Sequence, residues 1–504
     1  MIRPTSEECI KLPKHLPQPE ALRLIPEALA RKHVTIPLAI RDDALLVAMA
    51  NPSDIIAIEA LATQCRMRIE PELASVEEIQ EALDFNYQAY DEIEKQISNI
   101  PLESEEVDER IKADTVTNAP IAKALSLIIE EAIKARASDV HLQPQEDKLR
   151  VRYRIDGTLH DTLTLPTITA TPLISRIKIL ASMNIADHHR PQDGQFSFKT
   201  TDKLIDIRVG TTPTVYGEMA ALRLLDKSRA ALELSELGFL PESLQKFEKM
   251  LHAPYGMILV GGPTGAGKTT TLYASINRLD HNTQNIITVE DPVEYRFKNI
   301  NQVQVNPRAG LTFSSGLRSL LRLDPDVMLV GEVRDTETAK IAIQAALTGH
   351  LVLSSIHAND AIGIIYRLID LGIEPFLISS ALIGVIAQRM LRRVCTNCAR
   401  LIDVPPAEQI TYQKEIGEYK EQFLYGAGCK SCSNTGYQGR TGIFEVLSIS
   451  NDLRAMVLSG APAAELKNQA FKEGMMSLMK DGMHKVKAGV TTPAEVLRNA
   501  YSVE

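Results

Sequence analysis

Tryptophan is absent from the 504 residues, aromatic side chains make up 5%, and only six cysteines occur. With so few aromatics, and no interleaving of them with basic residues, a surface that stacks nucleic-acid bases is not expected. The charge points the same way. Lys and Arg total 55 against 64 Asp and Glu, a net of −9, so no basic domain meets a phosphate backbone. No apolar run reaches the ~18 residues that crossing a bilayer requires. The nearest, "FLISSALIGVIAQRM" from Phe376, is interrupted by polar residues. The amino-terminal "MIRPTSEECIKLPKHLPQPE" has no apolar segment behind its charges, so no signal peptide is expected. What is present is ordinary globular material, 44% hydrophobic and 24% charged, long enough for about three or four domains.

The pattern along the chain predicts a multidomain α/β protein. Residues 1–95 read as a small α/β module. "ALLVAMA" (Ala44 to Ala50) is strand-like, "NPSD" supplies a turn and an N-cap, and "IIAIEALATQ" has helical periodicity. Ser75 and Glu78 stand at capping-box spacing. Residues 96–117, which include the acidic "ESEEVDERIKAD", read as a linker. Residues 118–230 form a second α/β domain: a helix through "IAKALSLIIEEAIKARA", then strand candidates "DVHLQP", "LRVRYRIDG" and "IDIRVGTTPT". Strands and helices alternate over 231–390, which implies a largely parallel sheet. Residues 391–440 hold the clustered cysteines, and 441–504 read as short helices.

"YGMILVGGPTGAGKTTTLYASINRL" runs strand, glycine loop, helix, and Gly262, Gly267, Lys268 and Thr269 satisfy GxxxxGK[ST]. In such a loop (Gly262, Pro263, Thr264, Gly265, Ala266, Gly267, Lys268, Thr269, Thr270) backbone N–H groups curl around a β-phosphate. Lys268 reaches the β- and γ-phosphates, and Thr269 ligates Mg²⁺ at a helix N-terminus that favours anions. Three more strand ends carry polar groups. "DVMLVGEVRD" ends in Glu332, where a carboxylate could orient or deprotonate water. "IITVEDPVEY" carries Glu290, Asp291 and Glu294, and "HLVLSSIHAND" carries His350 and His357. An acid cluster after a strand is often a solvated loop, and a lone His is more often a satisfied core residue than a phosphate sensor. Their convergence on one glycine loop favours function, because ligands of open α/β sheets sit at the carboxyl ends of strands. Arg389, Arg392 and Arg393 read as an anion-binding patch, a helix cap or a face toward acidic lipid.

Four of the six cysteines lie between Cys395 and Cys432, as Cys395/Cys398 and Cys429/Cys432 separated by thirty residues. Two CxxC pairs at this spacing suit a tetrahedral, closed and therefore structural Zn²⁺ site, with a redox dithiol as the alternative for one pair. The site would pin the excursion "ARLIDVPPAEQITYQKEIGEYKEQFLYGAG", whose apolar content looks too small to hold it in place.

"GPTGAGKTTTLYA", "VEDPVEY", "GLRSLLRLDPDVMLVGEVRD" and "ALTGHLVLSSIHANDA" resemble the Walker A, Asp box, Walker B and His box of the ATPases that drive type II secretion and type IV pilus assembly. The resemblance extends from about residue 120 to the C-terminus, through "ASDVHLQP", "VRYRIDG", "ADHHRPQDGQ", "TGYQGRTGIFEVL" and "GVTTPAEVL". It implies that 231–390 is a RecA-like P-loop core binding ATP and Mg²⁺. Glu332 would be catalytic base or water positioner, Glu294 would assist from the Asp box, and His357 would sense the γ-phosphate. Arg208 and Arg223, in "DIRVGTTPTVYGEMAALRLL", would reach the phosphates from the preceding domain; without the resemblance, surface salt bridges are as good an account of them. Gly210 and Leu323 depart from the family pattern, where Ser and Gln are expected, and neither is a phosphate ligand. The resemblance further implies a homohexamer at the cytoplasmic face of the inner membrane. It would act on a membrane platform protein or its cytoplasmic adaptor, docked through the amino-terminal module. The "RLG" and "LV" motif by which some relatives take cyclic-di-GMP is not found before Leu22, so that ligand is not expected. A nucleic-acid translocase with a zinc ribbon and a pilus retraction ATPase are the alternatives. Against retraction stand the long amino-terminal module, the cysteine insertion and the lack of an "AIRNLIRE"-like motif. The choice between secretion and pilus systems stays open.

Overall fold

The computed structural model describes residues 17, 19–41, 44–80, 82–83, 119–200, 203–226 and 232–500. The acidic stretch 103–114 lies outside them. The chain forms two compact units, one of Met1–Lys227 with Gly426–Tyr437 and one of Ser228–Tyr425 with Gln438–Glu504.

In the first unit, β1 (Thr35–Arg41), β2 (Ala44–Met49) and β3 (Arg68–Leu73) form a small sheet in that order. β1 and β2 pair antiparallel, β2 and β3 parallel. The parallel pair needs a crossover, supplied by the helix Ile55–Cys65, and the Asp54 carboxylate caps it by accepting from the Ala57 N–H at 3.1 Å. Of the expected capping box one side is present, with Glu78 N–H donating to the Ser75 hydroxyl at 3.2 Å.

A six-stranded antiparallel sheet follows: β4 (Ala137–Pro144), β5 (Lys148–Ile155), β6 (Thr158–Pro166), β7 (Gln192–Lys199), β8 (Leu204–Thr214) and β9 (Gly217–Asp226), in the order β6-β5-β4-β9-β8-β7. Strict alternation decides its faces. Leu149, Val151, Tyr153 and Ile155 of β5 are buried in a core shared with the helices Ala119–Lys134 and Ala170–Leu180, and the Tyr153 hydroxyl donates to the Ile128 carbonyl at 2.7 Å. Arg150, Arg152 and Arg154 take the opposite face.

The second unit is built on β10 (Gly256–Gly261), β11 (Ile286–Glu290), β12 (Asn301–Gln304), β13 (Val327–Val330), β14 (Leu351–Ile356), β15 (Leu382–Val394) and a last strand from beyond the cysteines, Tyr437–Ser448. Their order is β12-β11-β13-β14-β10-β15 and then that last strand. The pairs among β10 to β15 run parallel. Parallel strands covered on both faces read as unbroken apolar runs, and all six residues of β10 and of β14 are buried. Met257 and Leu259 of β10 enter a core with the helices Phe313–Leu320, Thr336–Leu347 and Ala361–Asp370. Ile258 and Val260 enter one with Pro241–Leu251 and Lys268–Arg278. The carboxyl ends of β10, β11, β13 and β14 therefore open on one edge, where the four polar motifs were read.

Between β15 and the last strand, β16 (Ala399–Asp403) and β17 (Gln422–Gly426) pair around the helix Pro406–Ile416; the last strand is β18. This excursion is better anchored than its composition suggests. Val404, Tyr412 and Phe423 are buried in one cluster with Leu391, Ile443, Met483 and Val486, the two rings meeting edge-on at 5.0 Å. Three well-placed apolar residues contribute because they join a core supplied in part by the C-terminal helices.

Candidate functional site

The glycine loop joins β10 to the helix Lys268–Arg278. Gly265 and Gly267 sit at φ +80° and +87°, the left-handed region that a side chain would strain. Pro263, Thr264, Gly265, Thr269 and Thr270 are exposed, whereas Gly262 and Ala266 are buried beneath them. Lys268 Nζ is held over the loop by the carbonyls of Gly262 and Pro263, at 2.8 and 3.1 Å. Burial lowers its pKa; the Glu332 carboxylate opposes this and Arg389 reinforces it.

Glu332 follows β13 and is mostly buried, 15% exposed at its side chain. Two nitrogen groups face it: Arg334 in direct ion-pair contact and His357 with Nε2 3.6 Å from Oε2. His357 follows β14 at its carboxyl end. His350 precedes the same strand at the other end and bonds the Ala345 carbonyl at 2.9 Å, so it is the satisfied structural histidine of the two. Arg334, half of the Glu332 pair, went unremarked in the sequence; its pKa is raised chiefly by the hydrogen bond to Glu332.

Glu290 and Glu294 have distinct places. Glu290, 3% exposed, accepts from the hydroxyls of Tyr273 and Thr288 and from Gln302 Nε2, the last two at 2.6 and 3.1 Å. Tyr273 in turn accepts from the Glu294 N–H at 3.2 Å. A tyrosine on the helix after the glycine loop thus fixes the backbone that presents Glu294. Burial and the Glu290 carboxylate push its phenol well above the usual range, so it stays a donor.

Arg208 and Arg223 belong to the first unit, as direct cross-strand partners on β8 and β9. Arg223 Nε donates to Asp139 at 3.0 Å. The triplet Arg389, Arg392 and Arg393 is not one patch. Arg392 makes a bidentate pair with Glu495 at 3.0 and 2.6 Å, while Arg389 donates to the Asn359 carbonyl at 2.7 Å. Strand alternation sends neighbours to different partners, which a run of letters hides.

The sulfurs of Cys395, Cys398, Cys429 and Cys432 all lie within 4.8 Å of one another, and none of these cysteines is in a disulfide. Each CxxC closes a tight turn, Cys398 N–H to the Cys395 carbonyl at 3.3 Å and Cys432 N–H to the Cys429 carbonyl at 3.1 Å. The Cys429 and Cys432 sulfurs are 3.7 Å apart. Four thiolates about 2.3 Å from a tetrahedral Zn²⁺ would be spaced by about 3.8 Å, so the residues present fit that ion. Gly426 and Gly436 touch through their backbones, and any Cβ at Gly426 would run into the Gly436 carbonyl.

A family described as "Type II/IV secretion system protein" matches residues 114–498, and one described as "MshEN domain" matches 6–92. The chain is similar to the type IV pilus assembly ATPase PilB of Myxococcus xanthus (strain DK1622), at 41% identity over 498 residues, 96% of this chain and 87% of that one. It is similar to the type II secretion system protein E of Pectobacterium carotovorum subsp. carotovorum, at 40% identity over 488 residues, 94% and 96% of the two chains. Among solved structures, that of the pilus retraction motor PilT with bound ADP aligns with a TM-score of 0.51 at 27% identity, over 74% of this chain and 96% of that one.

Proposed function

Because the chain belongs to the Type II/IV secretion system protein family, we propose that it hydrolyses ATP to ADP and phosphate and uses the energy to assemble a pilin-like filament, in type II secretion or type IV pilus extension. The observation that carries this reading is the meeting of Lys268, Glu332 and His357 at adjoining strand ends. The loop from Gly262 to Thr270 offers backbone N–H groups and Lys268 to the phosphates. Thr269 would hold Mg²⁺, which neutralises phosphate charge. Glu332 orients or deprotonates the attacking water, His357 stands beside it to register the γ-phosphate, and Glu294 assists from the neighbouring loop. Arg208 and Arg223 supply charge from the first unit to the developing negative charge, a task suited to an always-ionised guanidinium. Alanine at either is expected to lower turnover about tenfold or more while ATP affinity changes little, the signature of an interaction made in the transition state.

Relatives at 40% identity or above carry assembly and secretion names, against 27% for the retraction motor. This favours extension or secretion over retraction. The working form is a homohexamer at the cytoplasmic face of the inner membrane, joined through residues 1–95 to a platform protein or its adaptor. In this reading the attachment is peripheral; among the described residues no helix is long and apolar enough to cross a membrane. In the host bacterium, replacing the chain with its Glu332→Gln form is expected to abolish filament assembly or secretion. Normal assembly with a stably expressed variant would refute the assignment.

The four cysteines hold a structural Zn²⁺ in this reading, with no ligand position left for water. Chelation is expected to expose the excursion 399–428 to protease while sparing ATP binding. A metal-free preparation with four reduced thiols and an unchanged cleavage pattern would count against the metal.

A further inference from the structure

Strand β15 passes the glycine loop near its middle, and two consecutive residues there face opposite ways. Gln388 is 1% exposed. Its Nε2 donates to the Ala266 carbonyl at 2.6 Å, and its Oε1 accepts from the Thr271 hydroxyl at 2.8 Å. Ala266 belongs to the loop and Thr271 to the helix that follows it, so one amide ties the two together. The backbones are equally close. A Cβ at Gly262 would lie 2.8 Å from the Gln388 carbonyl oxygen, and one at Gly267 would lie 3.2 Å from Gln388 Nε2.

Arg389 turns the other way. Its guanidinium donates to the Asn359 carbonyl at 2.7 Å and to the Gln388 carbonyl at 3.1 Å. Asn359 lies two residues beyond His357, and the next residue, Asp360, caps the helix Ala361–Asp370 by accepting from the Gly363 N–H at 2.6 Å. The middle of one strand therefore touches both the loop that would take the phosphates and the loop that presents His357.

We infer that Gln388 and Arg389 are positioning residues with separate tasks: Gln388 sets the shape of the glycine loop for nucleotide binding, and Arg389 sets the His357 loop for the chemical step. The chemistry is specific at both places. A Gln amide offers a donor and an acceptor at once, which neither an apolar isostere nor an ionised Glu of the same size can do. A guanidinium reaches two carbonyls in a fixed fork, which a lysine ammonium does not reproduce.

The inference rests on the reading of this loop as the ATP site, so the test includes a control for that reading. Gln388→Glu, Arg389→Lys and Lys268→Ala are made in the full chain, and KM for ATP, kcat and the nucleotide-free melting temperature are measured for each. Gln388→Glu is expected to raise KM about tenfold with kcat little changed, the size of leaving one buried hydrogen-bonding group unpaired. Arg389→Lys is expected to lower kcat about tenfold with KM little changed, as misplacement of a group acting on the reacting centre does. Should Gln388→Glu fail to fold, Thr271→Val removes the same bond from its other end and is expected to raise KM in the same direction. A wild-type KM in the Gln388 or Thr271 variant overturns the inference. So does a common loss in which both variants lower kcat and melting temperature and raise KM together, because that marks mere destabilisation. If Lys268→Ala binds ATP normally, the loop assignment fails instead, a result distinguishable from either.

Discussion

Glu332→Gln is expected to lower ATP turnover by about two to four orders of magnitude, the range lost when a positioned general base is removed, while ATP binding is retained. The substitution keeps the size and most of the hydrogen bonding of the side chain and removes its charge. In the structure that charge has two uses. It sits against Arg334 and 3.6 Å from His357 Nε2, and it acts electrostatically on Lys268. The carboxylate therefore links Arg334, His357 and Lys268 across adjoining strand ends, and it offers a proton acceptor to a water placed there. Single-turnover hydrolysis separates the chemical step from product release, and nucleotide binding measured on the same sample guards against misfolding. If the Glu332→Gln enzyme binds ATP and hydrolyses it at the wild-type rate, the base lies elsewhere.

The second large effect concerns stability. Asp481, 2% exposed, accepts from Lys485 Nζ and from the Phe444 N–H, both at 2.7 Å. Lys485 is 5% exposed and has its ammonium 6.0 Å from the Phe444 ring centre. Burial raises the Asp481 pKa and lowers that of Lys485, so each ion depends on the other to remain charged. Asp481→Ala strands the lysine and orphans a backbone donor of β18. Breaking such a pair from one side costs about 3–5 kcal/mol, read as a drop in the urea midpoint. Replacing both residues together, Asp481→Leu with Lys485→Met, is expected to recover most of the loss, because a well-packed apolar pair has no desolvation cost to offset. A single variant as stable as wild type would show that the pair is solvated.

The motifs that make up the candidate site were legible because each is a short string with a local mechanism. The glycine loop needs its glycines where the chain turns left-handed, at Gly265 and Gly267, and the CxxC pairs are turns that close on themselves. The parallel sheet was legible from unbroken apolar runs such as β10 and β14. What supports the site was not. Gln388 lies 122 positions from Ala266, and Tyr273 is 17 from Glu290, separations that no periodicity encodes. "FLISSALIGVIAQRM", the stretch nearest to a long apolar run, is a helix to Ala381 and a strand from Leu382. β18 was hidden among residues read as short helices. Its buried Glu445 accepts from the N–H groups of Ala361 and Leu478, at 2.9 and 3.3 Å, joining the helix after the His357 loop to the C-terminal helices. Tertiary burial settles such segments, and burial is the property a local window reports least well.

The central claim is that ATP is bound and hydrolysed at the loop from Gly262 to Thr270. The most direct measurement is ATP binding and steady-state ATP turnover of Lys268→Ala beside the wild-type chain, at equal concentration and matched secondary structure. The wild-type chain turns ATP over, and the variant, without the ammonium that spans the β- and γ-phosphates, is expected to lose turnover to background and to bind ATP at least about tenfold more weakly. Turnover by the variant at the wild-type rate would contradict the account.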